Sequence, residues 1–380
     1  MQKKKILILI DWFAPGYKAG GPIQSCVNLA FLLKQDFEIY VLTTDTDHGE
    51  TEPYKNIVAD QWITNLDPDI HIFYARKSNL NLKELREKIK EVNAEFIYLN
   101  HLFSPFFVVY PLWLKYINRL PGKVIVCPRG ALYESALSVK SFKKKIFLSL
   151  FYWMRMNRRI VFHATNNREK EAVLRHFPGS TIVVADNLPS NRQEPFKNCK
   201  KEKGILKCIF IARIVPIKNL LFLLNILDNI DKQVELSVIG PAEDKAYWKK
   251  CEEKIAGFSS NISVRYLGAK QNEELIHFIR QHHLFILPTT GENFGHSIFE
   301  ALLSGRPVLI SDQTPWLKLD QKNAGWDIPL TEPGRFARVI SEFAEFDQAE
   351  FDKWAMGAWK YAQTFITNPE IHKKYLQLFS

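Results

Sequence analysis

Residues 284–305 read LFILPTTGENFGHSIFEALLSG, and this stretch contains the parts of a ligand-binding loop. Its first four residues form a short apolar run that predicts a buried strand, and two glycines mark a loop directly after it. The apolar residues that follow have helical spacing and end at Gly305. Backbone N–H groups at the start of a helix favour phosphate or sugar oxygens, so the stretch predicts a strand, a binding loop and a helix.

Two glutamates in this stretch, Glu292 in the loop and Glu300 in the helix, are candidates for binding hydroxyl groups. A carboxylate accepts hydrogen bonds from vicinal hydroxyls, so both residues suit a sugar or a ribose. Glu300 is alternatively an ordinary helix glutamate. Its neighbours favour a semi-buried position because they are apolar: Ile298, Phe299, Ala301 and Leu302.

The rest of the chain alternates apolar runs with helical patterns in two series, which predicts parallel α/β sheets. The first series places strands at residues 5–10, 38–43, 70–74, 96–99, 123–127, 160–164 and 181–184. The second series places them at residues 206–211, 235–239, 263–267, 284–287 and 308–311. Because doubly wound sheets bind ligands at the carboxyl ends of their strands, we predict two Rossmann-like domains that face each other across a cleft.

A polar stretch, residues 188–204, separates the two series; it contains two prolines and shows no periodicity, so we predict a linker there. The linker divides an N-terminal domain, residues 1–187, from a C-terminal domain, residues 205–365. Asn368 and Pro369 read as an N-cap followed by proline at the first helical position. We expect residues 366–380 to contain a last helix that packs back on the N-terminal domain.

Cations and glycines follow the first strand of each series. Arg213 and, five residues later, Lys218 follow the first strand of the second series, where they suit a diphosphate. Two solvated surface cations are the alternative. Gly20 and Gly21 follow the first strand of the chain, where glycine lets a ligand approach the backbone, although a simple tight turn has the same composition. The spacing is not GxGxxG, so the dinucleotide fingerprint is missing.

The composition indicates which cellular compartment and which classes of partner are expected for this protein. The 380 residues carry a formal net charge of +10, which favours anionic partners such as nucleic acid, acidic lipid surfaces or phosphorylated ligands. The five cysteines are scattered and form no CxxC pair, which fits a reducing compartment. Residues 6–10 are too short an apolar run for a signal peptide, and no stretch reads as a spanning helix of ~20 residues. We expect a soluble, cytoplasmic protein.

Residues 137–159 contain two groups of basic residues, no acidic residue, and aliphatic and aromatic residues in between. Such a composition can dock on anionic lipid headgroups. The alternative is a domain helix whose apolar face joins the core. We expect a mostly buried helix whose basic end faces the inner side of the plasma membrane. Nucleic acid is not an expected partner, because no recognised binding module is present.

These motifs resemble those of the retaining glycosyltransferases of family 4, which have the GT-B fold, and in particular those that build bacterial surface polysaccharides. The resemblance extends from residue 6 to about residue 320. The positions that match a family motif are Glu292 and Glu300 (Glu-x7-Glu), residues 291–295 (Gly-Glu-x-Phe-Gly), Arg213 and Lys218 (Arg-x4-Lys), and Gly20 and Gly21 (Gly-Gly). His-Leu-Phe-Ser-Pro at residues 101–105 resembles the family's His-Gly-Leu-Trp-Ser-Pro, and Pro-Arg-Gly-Ala-Leu at residues 128–132 resembles Pro-Arg-Gly-Met-Leu.

The resemblance implies a hexosyltransferase-type enzyme that needs no metal or other cofactor. It would move a sugar from a UDP- or GDP-linked donor, bound by the C-terminal domain, to a glycan or polyprenyl-diphosphate-linked acceptor on the side of the N-terminal domain. The residues that it implies for catalysis are Arg213 and Lys218 on the leaving diphosphate, Glu292 on the donor sugar and His101 near the reacting carbon.

The resemblance also implies further donor contacts, and a lipid-linked acceptor suggests one contact on the acceptor side. The donor contacts are Gly20 and Gly21 with the phosphates, the backbone of Asn293, Phe294 and Gly295 with the sugar, and Glu300 with the ribose. On the acceptor side we expect Arg129 to contact a phosphate. The sequence departs from the family pattern at Leu102, at His296 and after Asn187. Because of these departures, the resemblance does not indicate which acceptor and which sugar the enzyme prefers.

Asp45, Thr46 and Asp47 have the Asp-x-Asp spacing that marks metal binding in the other large glycosyltransferase fold. Here they follow the second predicted strand of a different architecture, so we predict a surface loop and no metal requirement. Two alternative functions stay open: a sugar-nucleotide 2-epimerase of the same fold, and a catalytically inactive subunit that binds a nucleotide sugar. The glutamate pair with Arg213 and Lys218 favours transfer.

Overall fold

The computed structural model describes residues 3–138, 141–189 and 195–380. The chain divides into two compact units. Unit 1 comprises the residues up to Leu188 together with Asn368–Ser380, and unit 2 comprises Pro189–Thr367. Each unit is built on a mostly parallel sheet with helices between its strands, as the alternating pattern predicts.

The sheet of unit 1 is covered on both faces. Its strands are β1 (Lys5–Leu9), β2 (Glu38–Thr44), β3 (Trp62–Ile63), β4 (Ile70–Ala75), β5 (Phe96–Asn100), β6 (Lys123–Cys127), β7 (Val161–Ala164) and β8 (Thr181–Val184). They lie in the order β3-β4-β2-β1-β5-β6-β7-β8, with β3 antiparallel to β4 and the other pairs parallel. Successive residues of β1 enter two separate cores, Leu7 one and Ile8 the other, which explains why the strand is a continuous apolar run.

The helices that lie between the strands of unit 1 divide between these two cores. They are α1 (Gly21–Leu33), α2 (Leu82–Val92), α3 (Tyr110–Tyr116), α4 (Glu134–Ser138), α5 (Ser141–Trp153) and α6 (Asn167–His176). Residues of α2, α3, α5 and α6 share one core, and α1 packs into the other. Local capping sets the ends of α2, since the side chain of Asn81 accepts a hydrogen bond from the N–H of Glu84 at 2.9 Å and Asn93 adopts a left-handed conformation.

The strands of unit 2 are β9 (Ile205–Ile211), β10 (Gln233–Ile239), β11 (Ile262–Tyr266), β12 (Leu284–Leu287), β13 (Val308–Ser311) and β14 (Gly325–Ile328). They form a parallel sheet in the order β11-β10-β9-β12-β13-β14. The sequence pattern predicts these strands except β14. That strand begins at Gly325, where a Cβ atom would lie 2.0 Å from the carbonyl oxygen of Val308, so close backbone approach requires glycine and interrupts the apolar pattern.

The helices of unit 2 are α7 (Leu220–Leu227), α8 (Lys245–Ala256), α9 (Asn272–Arg280), α10 (His296–Leu303), α11 (Pro333–Ala344) and α12 (Gln348–Ile366). Residues 195–204, which we predicted as part of a linker, also pack on this unit. The ammonium of Lys201 is buried there and donates hydrogen bonds to the carbonyl oxygens of Ala344 at 2.8 Å and Phe346 at 3.2 Å. Residues 190–194 of the predicted linker lie outside the described residues.

The last helix, α13 (Pro369–Leu378), belongs to unit 1. Asn368 caps it by accepting a hydrogen bond from the N–H of Glu370 at 3.0 Å. Tyr375 and Leu378 enter the core that contains Ile8. Phe379 follows the helix into the same core, where its ring centroid lies 5.6 Å from that of Phe96. The end of the chain therefore completes the core of unit 1.

The substitution Phe379→Ala is expected to lower the free energy of unfolding of unit 1 by about 3–5 kcal/mol, because it removes a buried ring and leaves a cavity. Gln377→Ala, at an exposed position of α13 two residues earlier, is the matched control and should change the free energy of unfolding by less than about 0.5 kcal/mol. Urea unfolding followed by circular dichroism measures both values. Equal transitions for the two variants would contradict the assignment of α13 to this core.

Candidate active site

The crossovers of unit 2 reverse direction at β9, which pairs with β10 on one side and β12 on the other. The loops after β9 and β12 therefore open side by side at the carboxyl edge of the sheet. The carbonyl oxygen of Ile217 joins them, because it accepts hydrogen bonds from the N–H of Thr290 at 2.8 Å and from Oγ1 of Thr289 at 2.9 Å. Open α/β sheets bind their ligands at such a switch point.

These two loops bring Lys218 and Glu292 together. The ammonium of Lys218 forms an ion pair with Oε1 of Glu292, and the two side chains are only 14% and 15% exposed. Backbone bonds fix both residues: Lys218 ends a 3-10 turn, and the N–H of Glu292 donates to the carbonyl oxygen of Gln313 at 3.0 Å. A cation that suits a diphosphate thus lies directly beside an acceptor that suits a sugar hydroxyl.

Arg213 follows β9 in the same loop as Lys218, but its ion pair is with Glu243, at 2.9 Å between Nη1 and Oε2. Sequence reasoning missed Glu243, which follows β10, the other neighbour of β9. The available signal was an acidic residue just after an adjacent parallel strand. Gly240 makes this arrangement possible, because its φ is 142° and a Cβ atom there would lie 1.9 Å from the carbonyl oxygen of Ala212.

The loop from Glu292 to Gly295 is held rigidly before α10. Phe294 is buried with its ring centroid 5.1 Å from that of Trp316, whose indole N–H donates to the carbonyl oxygen of Phe294. Gly295 caps the helix with a φ of 79°, and a Cβ atom there would lie 2.7 Å from a methyl group of Ile298. The start of α10 thus presents fixed N–H groups beside the Lys218–Glu292 pair. Asn293, in the loop, and Glu300, on the helix, are both half-buried.

In unit 1 the predicted residues also lie after neighbouring strands. Gly20 precedes α1 in the loop after β1 with a φ of 70°, and Gly21 is the first residue of the helix. His101 follows β5 directly, and its Nδ1 accepts a hydrogen bond from the N–H of Phe103 at 3.3 Å. Burial, with a smaller contribution from the charge of Lys144, lowers the pKa of His101 to about 4. The imidazole is therefore neutral near pH 7 with its proton on Nε2, which makes it a hydrogen-bond donor.

One further residue of this edge was missed by sequence reasoning. Asp11 follows β1, and its Oδ1 accepts a hydrogen bond from Oγ of Ser104 at 2.7 Å, in the loop after β5. Burial raises the pKa of Asp11, partly offset by this hydrogen bond. An acidic residue directly after a buried strand was the signal for it.

The prediction of a surface loop at Asp45, Thr46 and Asp47 is wrong, because all three residues are buried. The carboxylate of Asp47 accepts hydrogen bonds from the N–H groups of Tyr17 at 2.9 Å and Lys18 at 3.1 Å. Asp45 accepts one from the N–H of Lys77 at 3.0 Å. These carboxylates therefore have a structural role, in which Asp47 fixes the loop that leads to Gly20.

Arg129 follows β6, and its guanidinium is committed to groups inside unit 1. It donates to Oδ1 of Asn100 at 2.9 Å, to the hydroxyl of Tyr98 at 3.0 Å and to Oδ1 of Asn187. The Tyr98 hydroxyl donates in turn to Nδ1 of His163 at 2.9 Å, whose Nε2 donates to a carbonyl oxygen at 2.8 Å. This geometry gives Arg129 a structural role, and the acceptor contact stays a prediction.

Comparison with known proteins finds a family model that matches part of the unit that carries Lys218 and Glu292. Residues 206–345 match the family of glycosyl transferases group 1. An uncharacterized 41.2 kDa protein in the cps region of Klebsiella pneumoniae is 24% identical over 232 residues, which cover 59% of this chain and 62% of that protein. An uncharacterized glycosyltransferase of Methanocaldococcus jannaschii is 25% identical over 296 residues, or 76% of this chain and 74% of that protein.

A solved structure resembles the chain over almost its whole length. Anabaena HepE, in complex with UDP and glucose, superimposes with a TM-score of 0.72 at 16% identity and covers 99% of both chains. The fold is GT-B. This confirms the predicted fold class, and the matched family confirms a glycosyltransferase domain in unit 2.

The buried His163 gives unit 1 a predictable acid sensitivity. Burial lowers its pKa to about 3, whereas an unfolded histidine titrates near ~6.5. Between these values the unfolded chain binds an extra proton, so the free energy of unfolding falls with decreasing pH, by up to about 1.4 kcal/mol per pH unit. His163→Gln should flatten this slope in urea unfolding between about pH 6 and pH 4. Parallel slopes for the two proteins would contradict the assignment.

Proposed function

We propose that this chain is a retaining, metal-independent glycosyltransferase of family 4. It moves a sugar from a UDP- or GDP-linked donor to a glycan or polyprenyl-diphosphate-linked acceptor in surface polysaccharide synthesis. The observation that carries the proposal is the Lys218–Glu292 ion pair at the switch point of unit 2. Support comes from the group 1 domain, from the relative in a cps region, and from the UDP and glucose bound to HepE.

In the proposed step, the bond between the anomeric carbon and the β-phosphate oxygen breaks, and its electron pair goes to the diphosphate. The acceptor oxygen bonds to the anomeric carbon on the same face, and its proton passes to a diphosphate oxygen. Lys218 and Arg213 stabilise the charge that develops on the leaving group. Glu292 and the N–H groups before α10 hold the donor sugar, and the neutral His101 donates a hydrogen bond to it near the reacting carbon.

Each cation has a carboxylate partner before the donor arrives. Lys218 pairs with Glu292, and Arg213 pairs with Glu243. Each cation would therefore have to break an ion pair before its side chain could turn toward solvent. Fixed charges need little reorganisation when the transition state forms, which is the usual origin of large electrostatic effects on rate. The donor diphosphate would share these two cations with the carboxylates.

The first expected result is selective stabilisation by one nucleotide family in a thermal-shift panel of UDP, GDP, ADP and their sugars. Binding at a hundred times the dissociation constant stabilises the folded state by ~2.7 kcal/mol. The shift should persist in EDTA and be reduced by Glu300→Ala. If no nucleotide in the panel raises the unfolding temperature, the assignment of a donor site is contradicted. Release of an epimerised donor in the absence of acceptor would favour the epimerase, and binding without turnover would favour the inactive subunit.

Lys218→Ala is expected to lower kcat by about 10²–10³-fold, because one stabilising charge on the leaving diphosphate is lost. Lys249→Ala, at an exposed position of α8 in the same unit, is the charge-matched control and should leave turnover unchanged. Product formation is measured with a radiolabelled donor once the panel has named the nucleotide. Near-normal turnover of the Lys218 variant, or of Arg213→Ala, would contradict the diphosphate clamp.

We also propose that α5 places the protein at the inner face of the plasma membrane. Apolar residues spaced by three or four positions form an exposed stripe on this helix: Phe142, Ile146, Leu150 and Trp153, which are 75%, 46%, 53% and 76% exposed. The opposite side packs into unit 1 through Leu148 and Phe151, which are the only buried residues among those described in α5, so the expectation of a mostly buried helix is wrong. Exposed cations flank the stripe, and the sequence has no acidic residue between Glu134 and Glu169. Anionic lipid suits this combination of charge and apolar surface. Lys140, another cation of the predicted segment, lies outside the described residues.

No helix in the described ranges has both the length and the apolar composition to cross a bilayer. The double substitution Phe142→Ala/Trp153→Ala should weaken sedimentation with phosphatidylglycerol vesicles by at least about tenfold, since each ring would bury apolar area in the lipid. Val58→Ala is the control, because Val58 is 58% exposed elsewhere in unit 1. Equal binding of both variants, or equal binding to phosphatidylcholine vesicles, would contradict the proposal.

A further inference from the structure

A surface cavity of about 480 Å³ lies in unit 1 between α2 and the segment from α3 to Arg119. Its lining comes from residues 82–90 and 110–119, and it includes none of the candidate site residues. The exposed stripe of α5 does not line it either. The cavity is therefore a separate feature, and neither the transfer reaction nor the membrane contact accounts for it.

Cations dominate the lining. Lys83, Arg86, Lys90 and Arg119 border the cavity together with one carboxylate, Glu87. None of these four cations forms an ion pair with a described residue, whereas the neighbouring Lys88 is paired with Glu91. The Nε of Arg86 is buried and has no hydrogen-bond partner among the described residues. A concave surface lined mainly by one sign of charge concentrates ligands of the opposite sign.

An aromatic pair forms part of the same lining. The rings of Tyr110 and Trp113 are nearly parallel, with centroids 6.0 Å apart and an angle of 21° between their planes. Trp113 is 49% exposed although it belongs to a helix that contributes to the core. Aromatic faces carry partial negative charge and attract the C–H groups of a sugar ring. The pair thus offers a flat surface for a pyranose.

We propose that this cavity binds an acidic saccharide, in which sugar rings carry carboxylates or other acidic groups. The guanidinium groups of Arg86 and Arg119 bind the acidic groups, the aromatic pair covers one ring face, and Glu87 accepts hydrogen bonds from hydroxyls. The aromatic pair favours a saccharide over the headgroup of a phospholipid such as phosphatidylglycerol, because that headgroup has no sugar ring whose face could cover the aromatic rings. The proposal concerns binding alone and stands independently of the transferase activity.

The test is isothermal titration calorimetry of the full chain with trigalacturonate and with maltotriose, a neutral saccharide of the same length. Trigalacturonate should bind at one site with an affinity that falls as salt is added, and maltotriose should bind at least about tenfold more weakly. Arg86→Ala/Arg119→Ala and, separately, Trp113→Ala should each weaken trigalacturonate binding by about tenfold or more. Lys249→Ala/Lys250→Ala is the control, because it removes the same charge from exposed positions of unit 2.

Three results would overturn the proposal. Equal losses in the cavity variants and in the control would mean that binding follows net charge rather than this site. Equal binding of maltotriose, or no binding of trigalacturonate, would exclude an acidic saccharide. Binding to phosphatidylglycerol vesicles that is lost in the cavity variants, with no response to trigalacturonate, would assign the cavity to a lipid headgroup. Unfolding midpoints measured by circular dichroism separate loss of binding from loss of structure. If the double variant unfolds, Trp113→Ala still tests the cavity, because Trp113 is half-exposed and its loss should leave the fold intact.

Discussion

Parallel strands that are buried on both faces can offer a ligand only their ends, and this constraint places the candidate site residues of both units. The crossover helices cover the faces of each sheet, so polar side chains with a chemical role collect in the loops that follow the strands. In unit 2 the loops after β9 and β12 carry Lys218 and Glu292. In unit 1 the loops after β1 and β5 carry Gly20, Gly21 and His101.

The packing around these loops gives them fixed positions rather than mobile ones. Phe294 is buried against the rings of Trp316 and Phe299 at the start of α10, so the backbone N–H groups nearby cannot easily reorient. Asp47 has the corresponding effect in unit 1, where it accepts two backbone hydrogen bonds from the loop before Gly20. In both units, side-chain packing and hydrogen bonds thus preorganise the backbone that would bind the donor.

The sequence was informative where a pattern is local. Apolar runs predict the strands of both units apart from β3 and β14, and the apolar run, the two glycines and the helical spacing in residues 284–305 predict a strand, loop and helix that the structure contains. The sequence does not predict which residues far apart in the chain form hydrogen bonds or ion pairs. Asp47 bonds to residues 29 and 30 positions earlier, and Arg213 pairs with Glu243, 30 positions later. A list of residues does not encode which loops become neighbours, and this is why Asp47 was placed on the surface and Glu243 was missed.

The position of α13 has a consequence for how the chain folds during translation. Unit 2 is one continuous segment, so all of its residues are synthesised before residues 368–380. Unit 1 consists of two segments on either side of unit 2, and its second segment is synthesised last. Until then Phe37 and Phe96 lack the ring of Phe379 that covers them. Contacts such as that between Asp36 and His372 join positions 336 residues apart, so they form late and slowly. Unit 1 therefore cannot complete this core until residues 368–380 have been synthesised.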